Sequence, residues 1–192
     1  MTNILKVFAP AKINLFLHIL GKRESGYHEI ESLVCFADVG DYVIFEPAEN
    51  FQFSLSGKFS KPLEEYSSDE NLVVKAVRMM SERLGKKPDF KVTLQKELPV
   101  AAGVGGGSSD AAATIKACLE WWKMDLSPKD LMEIALELGA DVPACVAGAP
   151  CIMRGIGENI MAVSKLNPMH AVLINPLIPC PTQKVFGRYK SH

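Results

Sequence analysis

Residues 99–109 read Pro99-Val100-Ala101-Ala102-Gly103-Val104-Gly105-Gly106-Gly107-Ser108-Ser109, with four glycines inside five positions. Glycine lets the backbone take positive φ angles and come close to a ligand, because no side chain stands in the way. The N–H groups of such a loop can point inward together, and a helix beginning just after it adds its dipole, which makes an anion site suited to phosphates. Ser108 and Ser109 add hydroxyl donors or a magnesium ligand. No Gly-Lys-Ser/Thr closes the loop and the spacing fails the Gly-x-Gly-x-x-Gly fingerprint, so a Walker loop and a plain dinucleotide site are both rejected. Lys12 stands two residues before Asn14, and Asp141 follows a candidate helix. In isolation the first would be a solvated strand charge and the second a turn former.

The loop needs a strand before it and a helix behind it. Phe90, Val92 and Leu94 alternate with Lys91, Thr93 and Gln95, a half-buried strand running into the loop, and a helix is expected from Ala111 to about Trp122. From Lys12 to Ile19 alternation puts Ile13, Leu15, Leu17 and Ile19 on one face and Lys12, Asn14, Phe16 and His18 on the other. A turn at 21–26 and further strands at Tyr42–Phe45 and Phe51–Leu55 make the first quarter mostly strand. Residues 69–85 begin acidic, repeat apolar side chains at helical spacing and stop at Gly85, and a third helix has Ser127 as N-cap, Pro128 at its first position and Gly139 past its end. Gly148–Gly157 reads as a turn-rich connection and Ala171–Pro176 as a buried strand, with a domain boundary near 164–167.

A chain of 192 residues holds one large domain, or one plus part of another. Its 48% hydrophobic and 22% charged residues are those of a chain with a packed core. Twenty-one basic residues against 22 acidic ones leave a net charge of −1, so there is no global field for a nucleic acid or an anionic membrane, and neither is expected as a partner. The N-terminus lacks the layout of a signal peptide and no apolar run reaches membrane-spanning length, so a cytoplasmic location is expected. Cys35, Cys118, Cys145, Cys151 and Cys180 are scattered without a CxxC pair, and are read as small buried hydrophobes.

Pro10-Ala-Lys-Ile-Asn-Leu15, the 99–109 loop and Leu138-Gly-Ala-Asp-Val-Pro143 together resemble, in order, the motifs of the GHMP kinases. Gly26-Tyr-His28, Asp69-Glu-Asn71, Lys96-Glu-Leu-Pro99, Gly155-Ile-Gly-Glu158 and Asn175-Pro176 are similar to the branch that phosphorylates a cytidyl-diphosphate-linked methylerythritol for non-mevalonate isoprenoid synthesis. The resemblance runs from residue 9 to Phe186. It implies an α+β fold, with an N-terminal domain like ribosomal protein S5 domain 2 over residues 1–165. Residues 166–192 would then be only the beginning of a ferredoxin-like C-terminal domain. It further implies ATP as phosphoryl donor, with Mg2+ expected on it. Pro99 to Ser109 and Asn71 would hold the nucleotide. Asp141 would accept or orient the proton of the attacking 2-hydroxyl, and Lys12 would stabilise the charge that develops. Tyr27 would stack on cytosine and His28 would bond its edge, with Asn14, Thr182 and Phe186 as further substrate contacts.

Kinases of this group continue well past the point where this sequence stops and carry a second glycine-rich motif, which is absent here. The expectations that follow are reduced turnover for this 192-residue form and an uncovered apolar face at Ala171–Asn175. Another GHMP kinase specificity and an inactive nucleotide-binding fragment are the competing readings; oligomeric state is left open.

Overall fold

Two long strands carry the architecture: β1 (Leu5–Lys22) and β2 (His28–Pro47) pair antiparallel from Leu5↔Phe45 to Lys22↔His28. The computed structural model describes residues 4–178, 180 and 182–189. Along its other side β2 is shared. Its C-terminal half pairs antiparallel with β4 (Phe90–Gln95) and its N-terminal half with β5 (Cys151–Gly155). β3 (Gln52–Ser56) lies parallel to β4, and β6 (Asn159–Ala162) antiparallel to β5, giving a mixed six-stranded sheet.

The alternation of β4 buries Phe90, Val92 and Leu94 together with Val43 and Phe45 of β2. These side chains form one core with α2 (Leu72–Leu84), α3 (Gly106–Trp122), α4 (Pro128–Leu138) and α5 (Val142–Ala147). α1 (Lys61–Glu64) is a single turn after β3. α3 is central because Ala111, Ala112, Ala113 and Ala117 are small enough to let its backbone lie close against its neighbours, and all four are buried. Asn71 caps α2 by accepting from the Val73 N–H at 2.9 Å, and Gly85 ends it in the left-handed region. At α4, Ser127, Pro128 and Gly139 stand where the sequence places them.

Four expectations need correction. α3 starts at Gly106 and not at Ala111, because Gly105 takes the left-handed turn that admits the chain to the helix and the last glycines form its first turn. Gly148–Gly157 is not all turn: β5 pairs within it, its β-branched and apolar residues overriding the flanking glycines. The even alternation expected from Lys12 to Ile19 is broken by a bulge between Asn14 and Phe16. Leu17 and Ile19 therefore pair with Ser32 and Ile30 and share a face with Lys12 and Asn14, since an extra residue reverses the pleat. Ala171–Pro176 is not a buried strand; it has no ladder partner among the described residues, and Val172 and Ile174 are 86% and 90% exposed. Hydrophobic composition alone does not make a strand where no neighbour supplies hydrogen bonds.

Candidate active site

The glycine loop is tied to β1 at three points. The Lys12 N–H donates to the Val104 carbonyl at 2.8 Å, and the Ser109 hydroxyl donates to the Pro10 carbonyl at 2.6 Å. Gly105 packs on the Lys12 side chain: a Cβ there would lie 2.9 Å from Lys12 Cβ, at φ +63. Gly105→Ala is accordingly expected to cost about 1–2 kcal/mol from the left-handed backbone alone and to push Lys12 aside. Urea unfolding together with a magnesium-ADP titration measures both, and a variant as stable and as tightly binding as the parent would show the contact to be slack.

Lys12 is 3% exposed, yet its ammonium is not isolated. Its Nζ donates to Asn14 Oδ1 at 2.9 Å and lies 3.3 Å from Asp141 Oδ1. Asp141 occupies the residue before α5, makes no capping bond with its side chain and is 40% exposed, so its carboxylate faces solvent while touching a buried cation. Its seat is the β5–β6 hairpin. A Cβ on Gly157, whose φ is +129, would stand 2.3 Å from the Ala140 carbonyl oxygen, and this close approach holds the Ala140–Asp141 turn. Ser32 lies under Asn14, fully buried, and donates to the Phe16 carbonyl at 2.6 Å across the bulge. No sequence signal singles it out, because its partner arrives through strand pairing.

Of the two loop serines, Ser109 is buried with its hydroxyl on Pro10, whereas Ser108 is half-buried in the first turn of α3. Pro99, Val100, Ala102, Val104, Gly105 and Gly106 are half-buried; Ala101, Gly103 and Gly107 are exposed. Ala101 itself takes φ +54 and its carbonyl accepts from the Cys180 N–H at 3.2 Å. On the loop's other flank a cavity of about 630 Å³ is lined by Phe53, Leu55, Leu63, Tyr66 and Asn71. Leu72, next in sequence to Asn71, lies 3.6 Å from where a Gly107 Cβ would be. Since Asn71 spends its carbonyl oxygen on capping α2, its amide NH2 is what it offers a ligand.

A second group stands at the far end of the β1–β2 pair. The turn there closes with the Arg23 N–H donating to the Tyr27 carbonyl at 2.8 Å, while the Arg23 guanidinium holds Glu29 at 2.5 Å and Glu158 at 3.2 Å. That leaves Tyr27 58% exposed. The His28 ring is 5.3 Å from Phe186 of α6 (Thr182–Gly187) and 6.1 Å, edge-on, from Tyr189. The side chain of Thr182 lies outside the described residues. His28 is six residues along β2 from Val34, the partner of Asn14, or about 20 Å at the usual strand rise. The structure thus joins Lys12, Asn14, Asp141 and the loop, and separately His28 and Phe186, with β1 and β2 running between them.

Beneath the loop lies a buried charge cluster that sequence reading missed. Lys96 Nζ bonds Asp41 Oδ2 and, at 2.8 Å, Asp110 Oδ2. Burial pushes the Asp110 carboxyl up to about 7 against the opposing pull of Lys96. Lys96 is desolvated, which alone would lower it, but its two carboxylates hold the ammonium above its ordinary value. Only Lys96 sits within a quoted motif; Asp41 and Asp110 are distant in sequence. Of the cysteines, Cys118, Cys145 and Cys151 are buried and Cys180 is exposed. Burial raises the Cys145 thiol to about 11.

Residues 71–149 match the family model of the GHMP kinases N terminal domain. The curated relatives narrow the class: the chain is 44% identical over 178 residues to the 4-diphosphocytidyl-2-C-methyl-D-erythritol kinase of Paramagnetospirillum magneticum, covering 93% of this chain and 61% of that one. With the enzyme of that name from Caulobacter sp. it is 48% identical over 186 residues, covering 96% and 63%. A crystal structure of 4-(cytidine 5'-diphospho)-2C-methyl-D-erythritol kinase superposes with a TM-score of 0.67 at 32% identity, over 83% of this chain and 55% of that one. A mevalonate kinase structure, at TM-score 0.62 and 13% identity, shares the fold. The chain spans about 60% of the length of these curated relatives.

Proposed function

We propose that this chain binds ATP and the cytidyl diphosphate substrate of a 4-diphosphocytidyl-2-C-methyl-D-erythritol kinase, and that Lys12 and Asp141 serve transfer of the γ-phosphoryl group to the substrate's 2-hydroxyl. The observation that carries this reading is the contact of Lys12 with Asp141 at 3.3 Å, Lys12 standing on the strand to which the glycine loop is tied and Asp141 just before α5. Phosphoryl transfer asks a protein chiefly for positioning and charge stabilisation, and these parts supply both. The backbone amides of 103–107 and the N-terminus of α3 take the phosphates. Asp141, partly open to solvent, receives or orients the proton of the acceptor hydroxyl, and the neighbouring ammonium stabilises the alkoxide and phosphoryl charge. Asn14 keeps the lysine in place. The cavity beside Asn71 suits the nucleoside end of the donor.

Magnesium would come as an ion carried on the nucleotide; among the described residues no three His, Cys, Asp or Glu side chains converge. Ser108 is the loop hydroxyl placed to share it, and the ion when bound neutralises charge on the phosphate oxygens. Tyr27, His28 and Phe186, with Thr182, would hold the cytosine, and their separation from Lys12 along β2 suits an elongated acceptor better than a compact alcohol. The same proposal includes a domain boundary near residue 165, which the end of β6 at Ala162 supports. No helix among the described residues is long and apolar enough to cross a membrane; the cytoplasmic location is part of the same proposal. The test is an ADP-release assay with 4-diphosphocytidyl-2-C-methyl-D-erythritol, mevalonate and homoserine as acceptors. Turnover with the cytidyl compound alone supports the assignment; turnover only with another alcohol overturns it.

A further inference from the structure

The hairpin joining β5 to β6 stands between the two groups of residues and touches both. Its turn reads Gly155-Ile156-Gly157-Glu158. Gly157 packs against the carbonyl oxygen of Ala140, the residue before Asp141. The next residue, Glu158, reaches the other way: its Oε1 accepts from Arg23 Nη2 at 3.2 Å. Arg23 in turn grips Glu29, next to His28, with Nε at 2.5 Å and Nη2 at 3.1 Å, and its backbone N–H closes the turn on the Tyr27 carbonyl. That turn has little else to hold it. It lies beyond the last β1–β2 pair, Lys22↔His28, and residues 23–27 are all exposed. The seat of Asp141 and the tether of the Tyr27–His28 turn are thus consecutive residues of one hairpin.

Glu158 is itself fixed. Its Oε2 accepts from the N–H groups of Ile156 at 2.5 Å and Gly157 at 3.1 Å, and a Cβ on Gly155, whose φ is +74, would overlap the same carboxylate. One oxygen is spent on the hairpin's own backbone and the other is held out to Arg23. Burial alone would raise the carboxyl, but the backbone donors and Arg23 hold it below its ordinary value, which keeps it ionised. We infer that Glu158 is a positioning residue that, through Arg23, keeps the Tyr27–His28 turn in register with Asp141 and so sets the length of acceptor the protein takes. The inference rests on the reading of Tyr27 and His28 as the cytosine-binding end. An acceptor held at both ends binds fully only when those ends stand at the separation its own length demands. The paired strands fix that separation as far as His28, and the Arg23–Glu158 contact extends it to Tyr27. A ligand that reaches one end alone can follow the turn when it shifts.

The experiment is calorimetric titration of the full chain, with magnesium-ADP saturating the loop, by CDP and by 4-diphosphocytidyl-2-C-methyl-D-erythritol. The proteins compared are the parent, Glu158→Gln, Arg23→Gln and the double variant. Glutamine has a single carbonyl oxygen, so Glu158→Gln can accept from the hairpin amides or from Arg23 but not from both. Each single variant should raise the Kd of the long acceptor about fivefold, the upper range for an ion pair partly open to solvent, and that of CDP by less than about twofold. The double variant should bind no more weakly than the weaker single one, because both changes remove the same contact. Equal changes for the two ligands, or none for either, overturn the inference while leaving the cytosine reading standing. Additive losses in the double variant overturn it too. If CDP fails to bind the parent, the cytosine reading falls and takes this one with it.

Discussion

Asp141→Asn is expected to lower phosphoryl transfer to 4-diphosphocytidyl-2-C-methyl-D-erythritol by about 10²–10⁴-fold, the range of a positioned proton acceptor, with the affinity for magnesium-ADP changed less than about threefold. Asparagine preserves the shape of the side chain but can neither take a proton nor hold the negative charge opposite Lys12 Nζ, 3.3 Å away. The nucleotide, on the proposed reading, would meet the loop's backbone amides and the cavity beside Asn71, neither of which includes Asp141. An effect on turnover with little effect on binding is the signature of an interaction made in the transition state. Initial rates of ADP release at saturating ATP, set beside the calorimetric Kd, separate the two. Turnover within threefold of the parent would remove Asp141 from the chemistry.

Lys96→Met should have the largest effect on stability, a loss of about 3–5 kcal/mol near pH 8, because removing the ammonium leaves two buried carboxylates facing each other. The sign of the pH dependence follows from the raised carboxyl of Asp110. Its folded value, about 7, lies above the ordinary value of 3.8 that holds in the unfolded chain. Its contribution to stability is therefore fully present below the unfolded value and is lost as pH rises through the folded one. Without Lys96 the Asp110 carboxyl holds its proton more tightly, so the deficit of the variant should shrink as pH falls from 8 to 5. Urea unfolding at the two pH values measures this. A deficit under about 1 kcal/mol at pH 8, or one that grows on acidification, would show that water reaches the cluster.

The loop between strand and helix was legible because four glycines in five positions leave few alternative uses for the chain, and the strand before it because β4 alternates without interruption. Helices with both a cap and a stop, such as α4, were legible for the same local reason. What escaped depends on pairing. The bulge after Asn14 cannot be read from β1, since it is defined by which residues of β2 lie opposite. Ser32, Asp41 and Asp110 acquire their roles only when the sheet and α3 bring them beside Phe16, Leu98 and Lys96. β5 was hidden between Gly148 and Gly157, whose turn signal is stronger locally than five strand residues. Val172 and Ile174 show the opposite failure, apolar side chains with no surface among the described residues to cover them.

β1 carries Lys12, proposed for the acceptor side, and, through Pro10 and Lys12, also bears two of the bonds that fasten the glycine loop proposed for the donor. The two halves of a reaction are thus mounted on one beam. On the proposed reading, bending of the sheet would displace them in common mode, and the gap between nucleophile and phosphorus, the coordinate on which the rate depends most steeply, would be insulated from it. Precision of that kind needs no overall rigidity in the protein. It needs only that the four residues from Ala9 to Lys12 hold their shape.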